Sequence, residues 1–259
     1  MNASASAEDY VTGRADTLAD FHALLTRHAP VPAALTNRHG DRFSAVLSQR
    51  QLDTLTLAVV DHSDGDLIAA RTATDIRVNP STAYLMVVPV TSGVTLAQAG
   101  RRLTLDVGQI AVASLGMPHL MQFPAAARTF TVIIPQPQLD LPSALLRDML
   151  ASPLPHDRPA VRIAAAVLRE LAETFTELDG QTGIQLARHV IALTQTGLAD
   201  AAGVRTGGRG TRDLTLLSDI IDDLLTRLSD PGLTPQAIAD AHPFRSADSM
   251  PCSMPKGLR

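Results

Sequence analysis

The chain has 259 residues but no tryptophan, two tyrosines, one cysteine and one lysine. A single cysteine, Cys252, cannot close an internal disulfide, so burial and hydrogen bonding must hold the fold, as in a reducing compartment. No apolar run reaches the eighteen or so residues of a membrane span, and the opening MNASASAEDY has no basic segment followed by an apolar one. Neither anchor nor signal peptide is expected, and the chain is expected to stay in the cytoplasm. A basic surplus is also missing: 22 Lys and Arg stand against 26 Asp and Glu, a net charge of −4. That balance argues against tight non-specific binding to phosphate backbones. The chain lacks a P-loop, a Gly-x-Gly-x-x-Gly after a strand and a Gly-x-Ser-x-Gly elbow, and no glutamate occurs between Asp41 and Leu168.

What is present is an ordinary globular composition, 45% hydrophobic and 19% charged, long enough for one large or two modest domains. Residues 1–20 are small and polar at first and are expected to be poorly ordered, with a short helix over Asp20–His28 broken by Pro30 and Pro32. From Phe43 to His62 the Val, Leu and Thr content and the alternation at Leu55, Leu57 and Val59 predict two strands. Further strands are expected near Ile68–Val78, Ala83–Val90, Val94–Ala97, Arg101–Leu105, Ile110–Ser114 and Arg128–Ile134. Turn signals at Asn79-Pro80, Ser92-Gly93, Ala99-Gly100, Val107-Gly108 and Gly116-Met117-Pro118 separate them. Many short strands at this spacing suggest a jelly-roll or cupin-like barrel over residues 21–155.

Beyond Pro159 the period changes to that of helices. Ile163, Val167, Leu171 and Phe175, widened by Leu168 and Ala172, form one stripe; Ala187, Val190, Ile191, Thr194 and Leu198 form a second. These two helices make a hairpin over residues 156–202, followed by a Gly- and Arg-rich linker at 203–213. The fold class expected is therefore α+β.

The stretch Leu214–His242 reads as helix, tight turn, helix. Leu217, Ile220, Ile221, Leu224, Leu225 and Leu228 make an apolar stripe, Asp230-Pro231-Gly232 stops it, and Thr234 and Pro235 start a second helix carrying Ala237, Ile238 and Ala241. Taken alone, that geometry is more often plain bundle packing than DNA binding. The wording Ser-Asp-Pro-Gly-Leu-Thr-Pro-x-x-Ile-Ala-x-Ala-His resembles the first two helices of the DNA-binding domain in AraC/XylS-type transcription regulators. The resemblance implies a partial helix-turn-helix at 214–242 in which Leu233, Thr234, Ile238, Ala239, Ala241 and His242 are structural, with promoter DNA the partner of the full-length form.

After His242 the pattern stops. PFRSADSMPCSMPKGLR has three prolines, no caps and no helical period, and it holds the chain's only lysine and only cysteine. With serine codons taken as TCN, arginine codons as CGN and the free third bases chosen, the shifted frame of this segment can read PLSVRRLHALFHAEGAP, which resembles the family's missing recognition helix. The expectation is an aberrant tail at 243–259 and a frameshift inside the helix-turn-helix, leaving no base-reading residue. Residues 213–259 carry seven Asp against four basic side chains, a net of −3, in keeping with that loss.

The barrel region resembles the sensor domain of the same regulators through Tyr84-x-Met86 to Gly93, Gln98-x-Gly100-Arg101, Gly108, Pro118-His119 and Ile134-Pro135-Gln136-x-Gln138-Leu139. The resemblance implies a small-molecule effector inside a cupin-like barrel and a homodimer made through the helical hairpin. Side chains suited to an apolar pocket with a few polar groups are Tyr84, Met86, Gln98, His119, Met121 and Phe123. Core filling suits Met86, Met121 and Phe123 better than ligand contact does, and a turn role suits His119 better. A cupin can also be a metal enzyme, but the His-x-His pair and neighbouring glutamate of such sites are missing: His119 stands alone, and His39 and His62 are expected on turns. The reading is a non-enzymatic regulator without metal or cofactor. A cupin-type enzyme and a vestigial, dominant-negative dimerisation protein remain the alternatives.

Overall fold

The computed structural model describes residues 10–28, 33–38, 42–139, 141–178 and 180–202. These lie in the first of two units, Met1–Arg205 and Thr206–Arg259. The linker, the partial helix-turn-helix with Leu233, Thr234, Ile238, Ala239, Ala241 and His242, and the tail expected after it lie outside the described residues.

The described elements, in chain order, are β1 (Tyr10–Ala15), α1 (Leu18–His28), β2 (Ala34–Asn37), β3 (Ser44–Leu52), β4 (Leu55–Ser63), β5 (Leu67–Arg71), α2 (Ala73–Val78), β6 (Tyr84–Pro89), β7 (Val94–Gln98), β8 (Arg101–Leu105), β9 (Ala111–Ser114), β10 (His119–Phe123), β11 (Ala127–Ile134), α3 (Ser143–Asp148), α4 (Pro159–Thr174) and α5 (Gly180–Ala201). The strands form two antiparallel sheets. A six-stranded sheet runs β1-β3-β4-β11-β6-β9 and a five-stranded sheet β2-β5-β10-β7-β8. This is the α+β, cupin-like arrangement the strand spacing implies.

Alternation of side chains along each strand decides what faces what. In the six-stranded sheet, Leu55, Leu57 and Val59 of β4, Tyr84, Met86 and Val88 of β6, and Phe130, Val132 and Ile134 of β11 share one hydrophobic cluster with α4 and α5. Their neighbours Leu85 and Val87 join Leu47, Ala69, Leu96, Met121 and Phe123 in a second cluster. Both faces of the larger sheet are therefore buried, and all six residues of β6 are inaccessible. The sheets also lean on polar clamps to the helices. Arg50 donates to the Thr176 and Leu178 carbonyls, Arg101 to those of Asp148 and Leu150, and Arg128 pairs with Asp61 and Glu173.

Four expectations are corrected. Residues 10–20 are not poorly ordered: β1 pairs along its whole length with β3, and α1 starts at Leu18. Gly13 permits this, since a Cβ there would lie 2.7 Å from Leu24 of α1. The strand expected over Ile68–Val78 stops at Arg71, because Thr72 and Asp75 form a capping box that starts α2. Residues 119–123 form a strand, β10, that the Gly116-Met117-Pro118 turn signal had hidden.

The face of α4 is also rotated from the expected stripe. Ile163 is 56% exposed, while Val161, Ala164, Ala165, Leu168, Leu171 and Ala172 are buried. A spacing of four overshoots the turn of about 3.6 residues, so a strict i, i+4 row drifts off the sheet. In α5, by contrast, Ala187, Val190, Ile191, Thr194 and Leu198 are all buried as the mixed three-and-four spacing requires. Leu168→Ala is expected to cost about 2–5 kcal/mol in chemical denaturation and Ile163→Ala no more than about 0.5 kcal/mol. Equal losses would place the helix the other way round.

Candidate functional site

Between the sheets lies a cavity of about 140 Å³. Its floor comes from the larger sheet: Leu47 and Gln49 of β3, Thr56, Ala58 and Val60 of β4, Leu85 of β6, and Thr129, Thr131 and Ile133 of β11. The opposite wall is Leu67, Ala69 and Arg71 of β5 with His119, Met121 and Phe123 of β10. Phe21 and Leu25 bring α1 against it. The lining is mainly apolar with a few polar groups, the composition small ligands favour.

Three of the six residues singled out from sequence, His119, Met121 and Phe123, line this cavity. They alternate along β10 and so share its inner face. Tyr84 and Met86 lie outside it, because they have the helix-facing parity of β6; Leu85 between them takes the cavity side. Gln98 is buried at the end of β7, where its amide is consumed by backbone. Nε2 donates to the Ser114 and Met117 carbonyls at 2.8 and 3.1 Å, and Oε1 accepts from the Ser114 N–H at 2.8 Å. Gln98 thus ties the smaller sheet to β9 and the turn after it.

Most of the lining escaped the sequence reading, including the polar residues Arg71 and Thr129. Arg71, only 2% exposed, is the Cα partner of His119 across β5 and β10. Its Nε donates to the Leu115 carbonyl at 2.9 Å and its Nη2 to the carbonyl of Asn79. Burial lowers its pKa, and Asp75 opposes that shift. Thr129, 2% exposed, holds a hydroxyl with no partner in the described structure. Leu67, Ala69 and Arg71 share one strand parity, so the sequence ties the arginine to the side those apolar residues take, but which side that is depends on the assembled sheets.

His62 sits in β4 rather than on a turn; it stacks on Phe43 at 6.2 Å, meets the edge of Phe123 at 5.9 Å and bonds the Pro124 carbonyl through Nε2 at 2.9 Å. His119 bonds the Met117 carbonyl through Nδ1 at 3.2 Å; a carbonyl only accepts, so this nitrogen carries the proton. His39 lies outside the described residues. Among the described residues no three His, Cys, Asp or Glu side chains converge on a point that could hold a metal ion, and no helix is long and apolar enough to cross a membrane.

With this geometry the comparisons fall into place. Residues 22–199 match the family described as the AraC-binding-like domain. The chain belongs to that family. An AraC-like transcriptional activator, CuxR, has a similar solved structure: TM-score 0.60 at 17% identity, covering 89% of this chain and 84% of that one. A cupin domain of an XRE-family transcriptional regulator from Enterobacter cloacae overlaps 31% of this chain and 80% of its own, at 13% identity and TM-score 0.26. The cupin domain of Schizosaccharomyces pombe Cnp3 overlaps 40% and 69%, at 6% identity and TM-score 0.29. A search of curated protein sequences gave no match. The AraC-like sensor domain and its cupin-like fold are thereby established.

Burial lowers the pKa values of both His62 and His119 below their ordinary 6.5, and the charge of Arg71 adds to the effect on His119. Between the lowered values and 6.5 the unfolded chain binds more protons than the folded one, so stability rises with pH there. The contribution is complete above pH 6.5 and is lost as the pH falls toward the folded-state values. The melting temperature should decline on acidification below pH 6.5, and His119→Gln should make that decline shallower. An unchanged slope would mean that His119 titrates as it does in water.

Proposed function

We propose that this chain is the sensing part of an AraC-type transcription regulator, taking a small-molecule effector into the cavity between its sheets. The observation that carries the reading is the cavity itself: it lies inside the domain that defines the family, walled by both sheets and by α1. The effector-contacting residues on this reading are His119, Met121 and Phe123 together with Arg71 and Thr129, while Tyr84 and Met86 back the larger sheet from the helix side and Gln98 braces the smaller sheet through its backbone bonds. The protein acts in the cytoplasm and catalyses no reaction.

The finer parts of the reading concern assembly and DNA. A second copy pairs through the α4–α5 hairpin, where Ile163 offers an exposed apolar side chain on the outer face of α4. The stretch Leu214–His242 carries the structural positions of a helix-turn-helix and no base-reading one, and residues 213–259 are net acidic at −3. Promoter DNA is therefore the partner of a form with an intact reading domain, and this chain binds it weakly. That acidic balance also favours a second outcome, in which the chain dimerises with an intact relative and lowers its activity.

A chimera with the DNA-binding domain of an intact AraC-type regulator in place of residues 206–259 tests the sensor. Its promoter reporter should respond to one class of small molecule, and Ala69→Phe, which fills the cavity, should abolish the response. A reporter indifferent to every small molecule and to that substitution would contradict the reading. Sedimentation tests the assembly: the full chain should run as a dimer and Ile163→Asp as a monomer at tens of micromolar. A wild-type monomer would remove the hairpin from the proposal.

A further inference from the structure

On the reading that the cavity is the effector site, its chemistry is decided by the atoms its lining presents rather than by residue type. Leu47, Leu67, Leu85, Ile133, Phe21 and Phe123 supply apolar wall from both sheets and α1. Six lining residues are polar by type: Gln49, Thr56, Arg71, His119, Thr129 and Thr131. Whether the interior is polar therefore depends on what their nitrogens and oxygens already bond.

Those atoms are largely engaged by the protein itself. Gln49 Nε2 donates to the His28 carbonyl at 2.8 Å, the Thr56 hydroxyl to Gln51 Oε1 at 2.7 Å and the Thr131 hydroxyl to the Ala58 carbonyl at 3.3 Å. His119 gives its Nδ1 proton to the Met117 carbonyl, and burial holds the ring toward its neutral form. The Thr129 hydroxyl is buried out of reach of the cavity, so that residue lends the wall its methyl group.

Arg71 does not make the cavity a cationic site. Its Nε donates to the Leu115 carbonyl at 2.9 Å and its Nη2 to the Asn79 carbonyl, and the Asp75 carboxylate acts on its charge. The guanidinium is thus a brace between β5, the end of α2 and the turn after β9. An anion entering the cavity would compete with those partners and leave a carbonyl unbonded in a dry interior. A cation would meet no aspartate or glutamate, since none lines the cavity among the described residues.

The volume, about 140 Å³, sets the size of the occupant. An apolar cavity of about 150 Å³ stays dry and admits benzene, so the occupant has about six to eight non-hydrogen atoms. We propose that the effector is an uncharged, essentially apolar molecule of that size, held by burial against Leu67, Leu85, Met121 and Phe123 rather than by a charged contact. Its affinity comes from apolar area leaving water, and a charged group would forfeit it by losing its own hydration without a free partner.

The test uses the full chain and three probes matched in number of non-hydrogen atoms: toluene, hexan-1-ol and pentanoate. Melting temperature and the Met121 methyl resonance are the readouts. Toluene should bind most tightly, and pentanoate at least about ten-fold more weakly than hexan-1-ol. Ala69→Phe should abolish toluene binding; should that variant fail to fold, the Met121 shift in the wild-type chain places the ligand. Pentanoate equalling hexan-1-ol would overturn the uncharged occupant and leave the cavity as an effector site. Hexan-1-ol exceeding toluene would overturn the apolar occupant, and toluene binding that leaves Met121 unmoved would overturn the site. If no probe binds the inference falls, and the reporter chimera decides separately whether the cavity senses anything else.

Discussion

Everything in this domain depends on one sheet being buried on both faces. The six-stranded sheet turns Leu55, Leu57, Val59, Met86, Phe130 and Val132 toward α4 and α5, and the alternate residues of the same strands toward the second sheet. A one-residue slip in the register of β4 or β11 would exchange the two sets, sending Thr56, Thr129 and Thr131 into the helix-packed core and emptying the cavity of its polar floor. The helices therefore set the lining of the cavity without touching it. By demanding an apolar face, they fix which residues are left for the other side.

The same constraint gives a physical route between cavity and hairpin. Val132 and Phe130 pack among the helix residues, while Thr129 and Thr131 on the same strand line the cavity. Any displacement of β11 on filling the cavity is thus felt by the surface on which α4 rests, and Arg128, bridging Asp61 of β4 and Glu173 of α4, ties that strand to the helix electrostatically. A regulator needs such a connection, because a ligand shifts an equilibrium only by its differential contacts with two arrangements.

Much of the fold was legible from sequence because alternation and turn chemistry are local. β3, β4, β6, β7, β8, β9 and β11 fall where period-two patterns and Gly or Pro signals place them. The two-residue turn at Ala99-Gly100, with φ of +54° and +75°, is the hairpin connection its position implies. What was hidden depends on partners distant in sequence. β1 exists because β3 supplies its ladder, and β2 because β5 does. For the site, His119, Met121 and Phe123 were legible through their side-chain chemistry alone, and the strand β10, which was not expected, puts all three on one face. Tyr84 and Met86 look equally suited to a pocket; the helices, not their chemistry, turn them away. Arg71 went unnoticed because a charge on a strand ordinarily signals solvent, and only the assembled sheets show that its side is inside.

Two methionines make the account directly measurable. Met121 lines the cavity and Met86 lies on the helix side of the sheet, each less than a tenth exposed. With the methionine methyl groups isotopically labelled, Ala69→Phe, which fills the cavity, should move the Met121 methyl resonance strongly and leave that of Met86 nearly in place. A Met86 shift equal to or larger than that of Met121 would mean that the two faces of the sheet are not separate, and the division into a packing face and a cavity face would be wrong.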